Sequence, residues 1–241
     1  FSLKLVDSLK LDADSFWGVD VYDRMYYSKN QVFYKIENDK TFQFQDLQLG
    51  ELESVDLLNP LKILLFYKEA NTVVILDNRL NEVRRLSFNS TQEFKTVDYA
   101  GFSKNTQLWI FNVDTQQIEL FDYQTEKTIN RSIPLSNDII DFKSNYNFCW
   151  IQHPDALSIF NINGSQLGEI AVNDLISFST FKNQIMLLTP TQLKWLDRQF
   201  DPIQSFKKPK INFNQFYFNA QNLYIYSDKV LYIYKLTTVN N

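Results

Sequence analysis

Short apolar runs recur along the chain at an interval near forty residues. The clearest series reads Met25-Tyr26-Tyr27, Ile63-Leu64-Leu65-Phe66, Leu108-Trp109-Ile110-Phe111, Phe148-Cys149-Trp150-Ile151, Ile185-Met186-Leu187-Leu188 and Leu223-Tyr224-Ile225-Tyr226, with starts 38, 45, 40, 37 and 38 residues apart. Runs this short, bounded by turn residues and rich in β-branched and aromatic side chains, read as strands. A second run follows each one after a short polar turn: Val32-Phe33-Tyr34, Val73-Val74-Ile75-Leu76, Ile118-Glu119-Leu120-Phe121, Leu157-Ser158-Ile159-Phe160, Leu193-Lys194-Trp195-Leu196 and Leu231-Tyr232-Ile233-Tyr234. The turns between the two series contain Asn71, Thr115, Pro154, Pro190 and Asp228, residues that favour turns.

Two weaker strands flank each pair. Ahead of it an aliphatic residue precedes an aspartate in Val19-Asp20, Val55-Asp56, Val97-Asp98 and Ile140-Asp141, with Ile176-Ser177 and Phe213-Asn214 in the comparable places of the last two units. Behind it come more polar segments, for instance 40–45, 82–88, 127–133 and 165–171, as solvent-facing edge strands should be.

Four strands repeating at about 40–45 residues are the pattern of a β-propeller. The repeats predict an all-β, six-bladed propeller in one domain spanning 1–241, with blades at about 16–46, 52–88, 94–133, 138–171, 174–206 and 211–236. The sixth unit supplies only three strands, while the segment 2–11, with Leu3, Leu5, Leu9 and Leu11, precedes the first unit unassigned. Placing that segment as the fourth strand of the last blade closes the ring and covers edges that would otherwise template aggregation. A β-sandwich or barrel pair could use the same strands but needs no forty-residue period, and a seventh blade has no segment to build it. The 3.6-residue helical period is absent throughout.

Composition agrees with this reading. Hydrophobic residues make up 44% and aromatics 16%, with 5 glycines and 6 prolines, which excludes a disordered or collagen-like chain. The net charge of −4 gives no general means of neutralising phosphates, so nucleic acid is not an expected partner. The basic cluster Lys207, Lys208 and Lys210 reads as an inter-blade loop. The one cysteine, Cys149, sits inside an apolar run and is expected as a buried small hydrophobe. No apolar stretch approaches the roughly 18 residues that span a bilayer. The chain begins at Phe1 and not at Met, which fits a processed or trimmed product.

Candidate chemistry is sparse. The single histidine, His153, lies in Gln152-His153-Pro154-Asp155 and is expected as an exposed turn residue. No Ser-His-Asp or Cys-His set, glycine-rich phosphate loop or Cys/His metal spacing is recognisable, so neither enzymatic activity nor a cofactor is expected. The one constellation to weigh is Asp20, Asp56, Asp98 and Asp141. At one level on the innermost strands they would ring the central channel, where they could hydrogen-bond neighbouring strands and turns, hold a hard cation through oxygen ligands, or serve a glycosidase. Abundant aromatics, notably around Tyr22 to Tyr34 and Phe213 to Tyr226, are expected first in packing between blades, and any excess would mark a protein-binding face.

The stretch Leu57-Leu58-Asn59-Pro60-Leu61-Lys62-Ile63-Leu64-Leu65-Phe66-Tyr67-Lys68, continued by Asn71-Thr72-Val73-Val74-Ile75-Leu76-Asp77-Asn78-Arg79-Leu80-Asn81-Glu82, resembles a family of secreted propellers from Bacteroidetes, in particular the plug proteins of the type IX secretion translocon. The resemblance covers about a tenth of the chain, in packing and turn residues. It implies a periplasmic protein, its signal peptide removed, peripheral to the outer membrane and not inserted in it. Its implied partners are a large outer-membrane translocon barrel and other periplasmic subunits of that complex. The implied role is non-enzymatic: to seal the periplasmic mouth of the translocon when no cargo occupies it. The alternative reading is a free-standing propeller scaffold that binds a peptide, sugar or cation at its channel mouth.

Overall fold

The computed structural model describes residues 2–136, 138–213, 215–219 and 221–237; Asn214, read above as part of a first strand, lies outside them. The described chain forms 24 strands. Strand β1 (Ser2–Lys10) precedes the first blade, which comprises β2 (Ser15–Val19), β3 (Met25–Lys29), β4 (Val32–Glu37) and β5 (Lys40–Phe44). The second blade is β6 (Ser54–Asn59), β7 (Lys62–Tyr67), β8 (Thr72–Asp77) and β9 (Glu82–Ser87); the third is β10 (Val97–Phe102), β11 (Gln107–Asn112), β12 (Gln117–Asp122) and β13 (Lys127–Arg131). The fourth is β14 (Asp141–Ser144), β15 (Phe148–Gln152), β16 (Ala156–Asn161) and β17 (Gln166–Ala171); the fifth is β18 (Ser177–Phe181), β19 (Gln184–Leu188), β20 (Gln192–Leu196) and β21 (Pro202–Lys207). The last contains β22 (Phe216–Phe218), β23 (Asn222–Ser227) and β24 (Val230–Thr237).

Each sheet is an antiparallel meander of four strands, and the last has the order β1-β24-β23-β22. The first strand in sequence is therefore the outermost strand of the final blade, and the chain is a six-bladed β-propeller closed by its own N-terminal strand. Lys29 pairs with Val32 and Ser227 with Val230 across two-residue turns. Asn30 (φ 50°) with Gln31 (φ 61°), and Asp228 (φ 51°) with Lys229 (φ 62°), take the left-handed conformations such turns require.

The core explains why the second strands are unbroken apolar runs and do not alternate. Strand β7 sends Ile63 and Leu65 into the cluster shared with the first blade, and Leu64 and Phe66 into the cluster shared with the third. Likewise β11 sends Leu108 and Ile110 backward and Trp109 and Phe111 forward. Both faces of these strands are covered, so both parities must be apolar. Six such clusters lie around the ring, one at each interface between neighbouring blades. Cys149 is fully buried in the cluster between the third and fourth blades, and burial raises its thiol well above the ordinary value, keeping it protonated. The closing interface differs in composition: Leu11, Phe16, Tyr224 and Leu231 pack there with Tyr27, Tyr217 and Tyr226.

Four strands per blade is an even number, so all innermost strands run the same way along the ring axis. The turns from first to second and from third to fourth strand therefore share one face, called here the hairpin face. The turns from second to third strand and the blade-to-blade crossovers share the other, the crossover face.

Candidate functional site

The innermost strands begin and end at different points relative to the aliphatic–aspartate pairs, and this decides where the four aspartates go. Asp98 and Asp141 stand at the start of β10 and β14, at the crossover face, whereas Asp56 is in the middle of β6 and Asp20 lies just past the end of β2, at the hairpin face. The four do not share a level, so they form no ring around the channel. Among the described residues no three His, Cys, Asp or Glu side chains come together as a metal site.

Each aspartate instead serves its own surroundings. Asp20 is buried, and its carboxylate accepts from the N–H groups of Tyr22 (2.8 Å) and Arg24 (3.1 Å) and from the Tyr26 hydroxyl (3.0 Å). Asp98 pairs with Lys68 at 3.1 Å, and Asp141 with Lys143 at 2.6 Å. Asp56 accepts from Leu58 N–H and Phe102 N–H, both at 2.7 Å, tying the second blade to the third. Burial outweighs those two hydrogen bonds and pushes the Asp56 carboxyl up to about 6. The axis is crowded here: a Cβ on Gly101 would lie 2.3 Å from Ser144 Oγ and 3.3 Å from Asp56 Oδ2. Only glycine lets the innermost strands approach this closely.

His153 is 3% exposed, contrary to its expected exposure. Its Nδ1 lies 2.9 Å from the carbonyl oxygen of Asp138, so Nδ1 carries the proton and donates it. The crossover into the fourth blade folds over the turn that holds the histidine and removes it from solvent. In the basic cluster, Lys208 and Lys210 follow β21 in the crossover to the last blade, and the Lys208 ammonium sits 4.9 Å from the centre of the Phe213 ring.

One ion pair is deeply buried. Glu119, on β12, is inaccessible and receives the Lys95 ammonium at 3.0 Å, the Asn112 amide at 2.8 Å and the Thr128 hydroxyl. Burial alone would raise its carboxyl; the hydrogen bonds from Thr128, Asn112 and Lys95, with the lysine charge, outweigh it and hold the group below the usual range. This cluster is fully partnered and ties a crossover to the blade it enters.

Exposed apolar side chains stand on both faces: the hairpin face carries Val21 (66%), Tyr22 (63%) and Leu61 (62%) in the inner turns of the first two blades, and the crossover face carries one in each of four crossovers. On the crossover face, Leu47 (67% exposed), Phe94 (62%), Ile133 (80%) and Ile176 (37%) stand in four successive crossovers, and Ile140 (50%) is in the same crossover as Ile133. Exposed carboxylates such as Glu51, Glu93, Asp114, Asp155 and Asp174 share that face. On the hairpin face, an open depression of about 550 Å³ lies where the inner hairpins of the second, third and fourth blades meet; it is lined by Asn59, Lys62, Phe102, Lys104, Asn105, Tyr146 and Asn147. Sequence reasoning missed this site, because its residues come from three separate turns.

No family model matches the chain, and no curated protein sequence matches it. Solved structures similar to it include BamB from Moraxella catarrhalis (TM-score 0.56, 9% identity, 97% of this chain and 100% of that one). The mitotic checkpoint complex (TM-score 0.67, 8% identity, 99% and 93%) is another. So is the β-propeller domain of Cps50 (Swd1) from Myceliophteria thermophila (TM-score 0.67, 8% identity, 98% and 100%). At this level of identity the likeness is one of fold.

Proposed function

We propose that this propeller is a non-enzymatic periplasmic interaction module that docks against a large outer-membrane protein-secretion translocon and plugs its periplasmic opening when no cargo is present. The observation that carries this reading is the crossover face. Four successive crossovers each present a large, exposed apolar side chain, at Leu47, Phe94, Ile133 and Ile176. Apolar side chains distributed over one face and interleaved with charged ones suit a sizeable, reversible protein interface. The choice of partner rests on the resemblance of residues 57–68 and 71–82 to translocon plugs. The closed ring supports the role: each blade packs against two neighbours, so the disc can dock and leave as one body.

Affinity purification from native membranes tests this. The wild-type protein is expected to retain a very large outer-membrane barrel, and the variant carrying Leu47→Asp, Phe94→Asp, Ile133→Asp and Ile176→Asp to lose it at an unchanged melting midpoint. A deletion strain is expected to admit bulky antibiotics that the parent excludes. Normal exclusion together with no co-purified barrel would overturn the proposal. A second reading, a free-standing propeller that binds a ligand at its channel mouth, draws on the hairpin-face depression and predicts a freely soluble pool without the barrel.

A further inference from the structure

We infer that the hairpin-face depression between the second, third and fourth blades is a binding site for a carboxylate-rich peptide segment of a partner protein. The inference stands for a docked or a free propeller, since the depression lies on the face opposite the crossovers.

Its chemistry starts from two lysines. Lys62 and Lys104 are exposed on its walls, and neither ammonium has a carboxylate within ion-pair distance among the described residues. Other surface lysines, Lys40, Lys127 and Lys194 among them, have no ion pair among the described residues either; what sets Lys62 and Lys104 apart is that both line one depression. In a chain of net charge −4, two neighbouring unpaired cations at one depression stand against the average field. The remaining polar lining is amide. The Asn59 side-chain oxygen accepts from Leu61 N–H at 2.9 Å, which leaves its NH₂ available, and Asn105 and Asn147 contribute two further amides. Amides both donate and accept, as recognition of a peptide backbone requires. Tyr146, 40% exposed, adds an aromatic surface.

The walls are held in place before any ligand arrives. The Asn145 side-chain oxygen accepts from the N–H groups of Asn147 and Phe148, both at 2.9 Å, and its amide nitrogen donates to the Lys182 carbonyl at 2.6 Å. The Asn145 carbonyl takes the Trp109 indole N–H at 2.9 Å, and the Tyr146 carbonyl takes the Ser103 hydroxyl at 3.0 Å. A pinned hairpin reduces the ordering cost of binding. The nearby Asp56 carboxylate, which accepts the N–H of the lining residue Phe102, is also engaged by the N–H of Leu58.

Other ligands fit less well. The depression is open and does not enclose a single inorganic anion, and no arginine among its lining residues offers the bidentate fork that favours phosphate. A neutral glycan would use Tyr146 and the amides but leave both ammonium charges unanswered.

The test uses fluorescently labelled hexaglutamate in anisotropy titrations at low salt, with NMR shifts of the Asn105, Tyr146 and Asn147 amides as the map. Saturable binding is expected, with those amides shifting. The K62E/K104E variant should weaken it about tenfold or more, equivalent to about 1.4 kcal/mol. Tyr146→Ala should also weaken it, and a variant reversing Lys207, Lys208 and Lys210 should bind as the wild type does. Unchanged melting midpoints establish that the variants fold. No binding of hexaglutamate, an equal loss in the Lys207/Lys208/Lys210 variant, or chitohexaose or inorganic phosphate shifting the same amides where hexaglutamate does not would each overturn the inference.

Discussion

Leu9 stands opposite Leu231 in an antiparallel ladder that joins the first strand of the chain to its last. The two residues belong to the apolar cluster between the final and first blades, Leu231 fully buried and Leu9 at its margin. The same seam is fastened by polar contacts. The Tyr226 hydroxyl lies 2.7 Å from the Ala13 carbonyl oxygen, and the Asp12 carboxylate pairs with both Lys29 and Lys229. Strand β1 therefore stabilises the ring as a whole, since its loss would expose β24 as a free edge.

Deleting residues 1–10 is accordingly expected to damage far more than one strand. The ladder joins eight residue pairs. With a net value near the low end of about 0.5–1.5 kcal/mol per hydrogen bond, its removal costs on the order of 4 kcal/mol. That lowers the melting midpoint by roughly 8–16 °C in a domain of this size. Calorimetry with light scattering checks both this shift and the edge-to-edge association that a bare β24 invites.

The Lys95–Glu119 pair makes a second prediction. Lys95→Met leaves the inaccessible Glu119 carboxylate without its cation, a loss of about 3–5 kcal/mol at neutral pH. In the wild type the Glu119 carboxyl is held low, so its contribution is present above the ordinary glutamate range and lost as pH falls through the folded value. Without the ammonium, burial dominates and the carboxyl moves up. The variant should then gain stability relative to wild type between pH 7 and pH 5. Urea unfolding at the two pH values measures it, and a parallel shift of both proteins would contradict the assigned role.

The repeat was legible because every blade solves the same burial problem. A middle strand covered on both faces must be apolar at both parities, so Ile63-Leu64-Leu65-Phe66 and its equivalents stand out at once. Closure was legible by counting, since three strands at one end required a fourth from the other. The placement of the four aspartates was not. Val19 ends its strand whereas Val97 begins its own, so the same pair of letters lands at opposite faces. Burial of His153 depends on a carbonyl fifteen residues earlier, in the crossover that folds over it. The hairpin-face depression is built from three turns about forty residues apart, and local pattern carries no record of their meeting.

A further repeat emerged only in three dimensions, and it can be tested. At the end of the third strand in four blades, the side-chain oxygen of Asp77, Asp122, Asn161 or Asp197 accepts two N–H groups of the turn ahead. Each turn contains one left-handed residue, namely Leu80, Glu126, Gly164 or Phe200. Glycine, the usual signal of such a turn, occupies only one of the four, which hid the motif. Replacing Asp77 or Asp197 by Ala should cost about 1–2 kcal/mol, because two N–H groups lose a charged or strongly polar acceptor. Chemical denaturation of the single variants checks the size, and the double variant should be close to additive for sites in different blades.

Asp56 makes the last prediction, and its sign differs from that of most carboxylates in the molecule. Burial raises its carboxyl from the ordinary 3.8 to about 6 in the folded state, against the opposing pull of the Leu58 and Phe102 N–H groups. Between those two values the folded chain holds a proton that the unfolded chain releases. The contribution of this residue to stability therefore grows as pH falls from about 6 towards 4 and is flat above about 7. A carboxyl-carbon NMR titration should show the Asp56 resonance moving with a midpoint near 6. Asp56→Asn should remove this slope, so the stability difference between wild type and variant should widen in favour of wild type as the buffer is acidified across that window. A midpoint near 4, or a constant difference between pH 7 and pH 4, would show that the carboxylate is solvated in the folded protein and that the crowding around Gly101 and Ser144 does not shut water out.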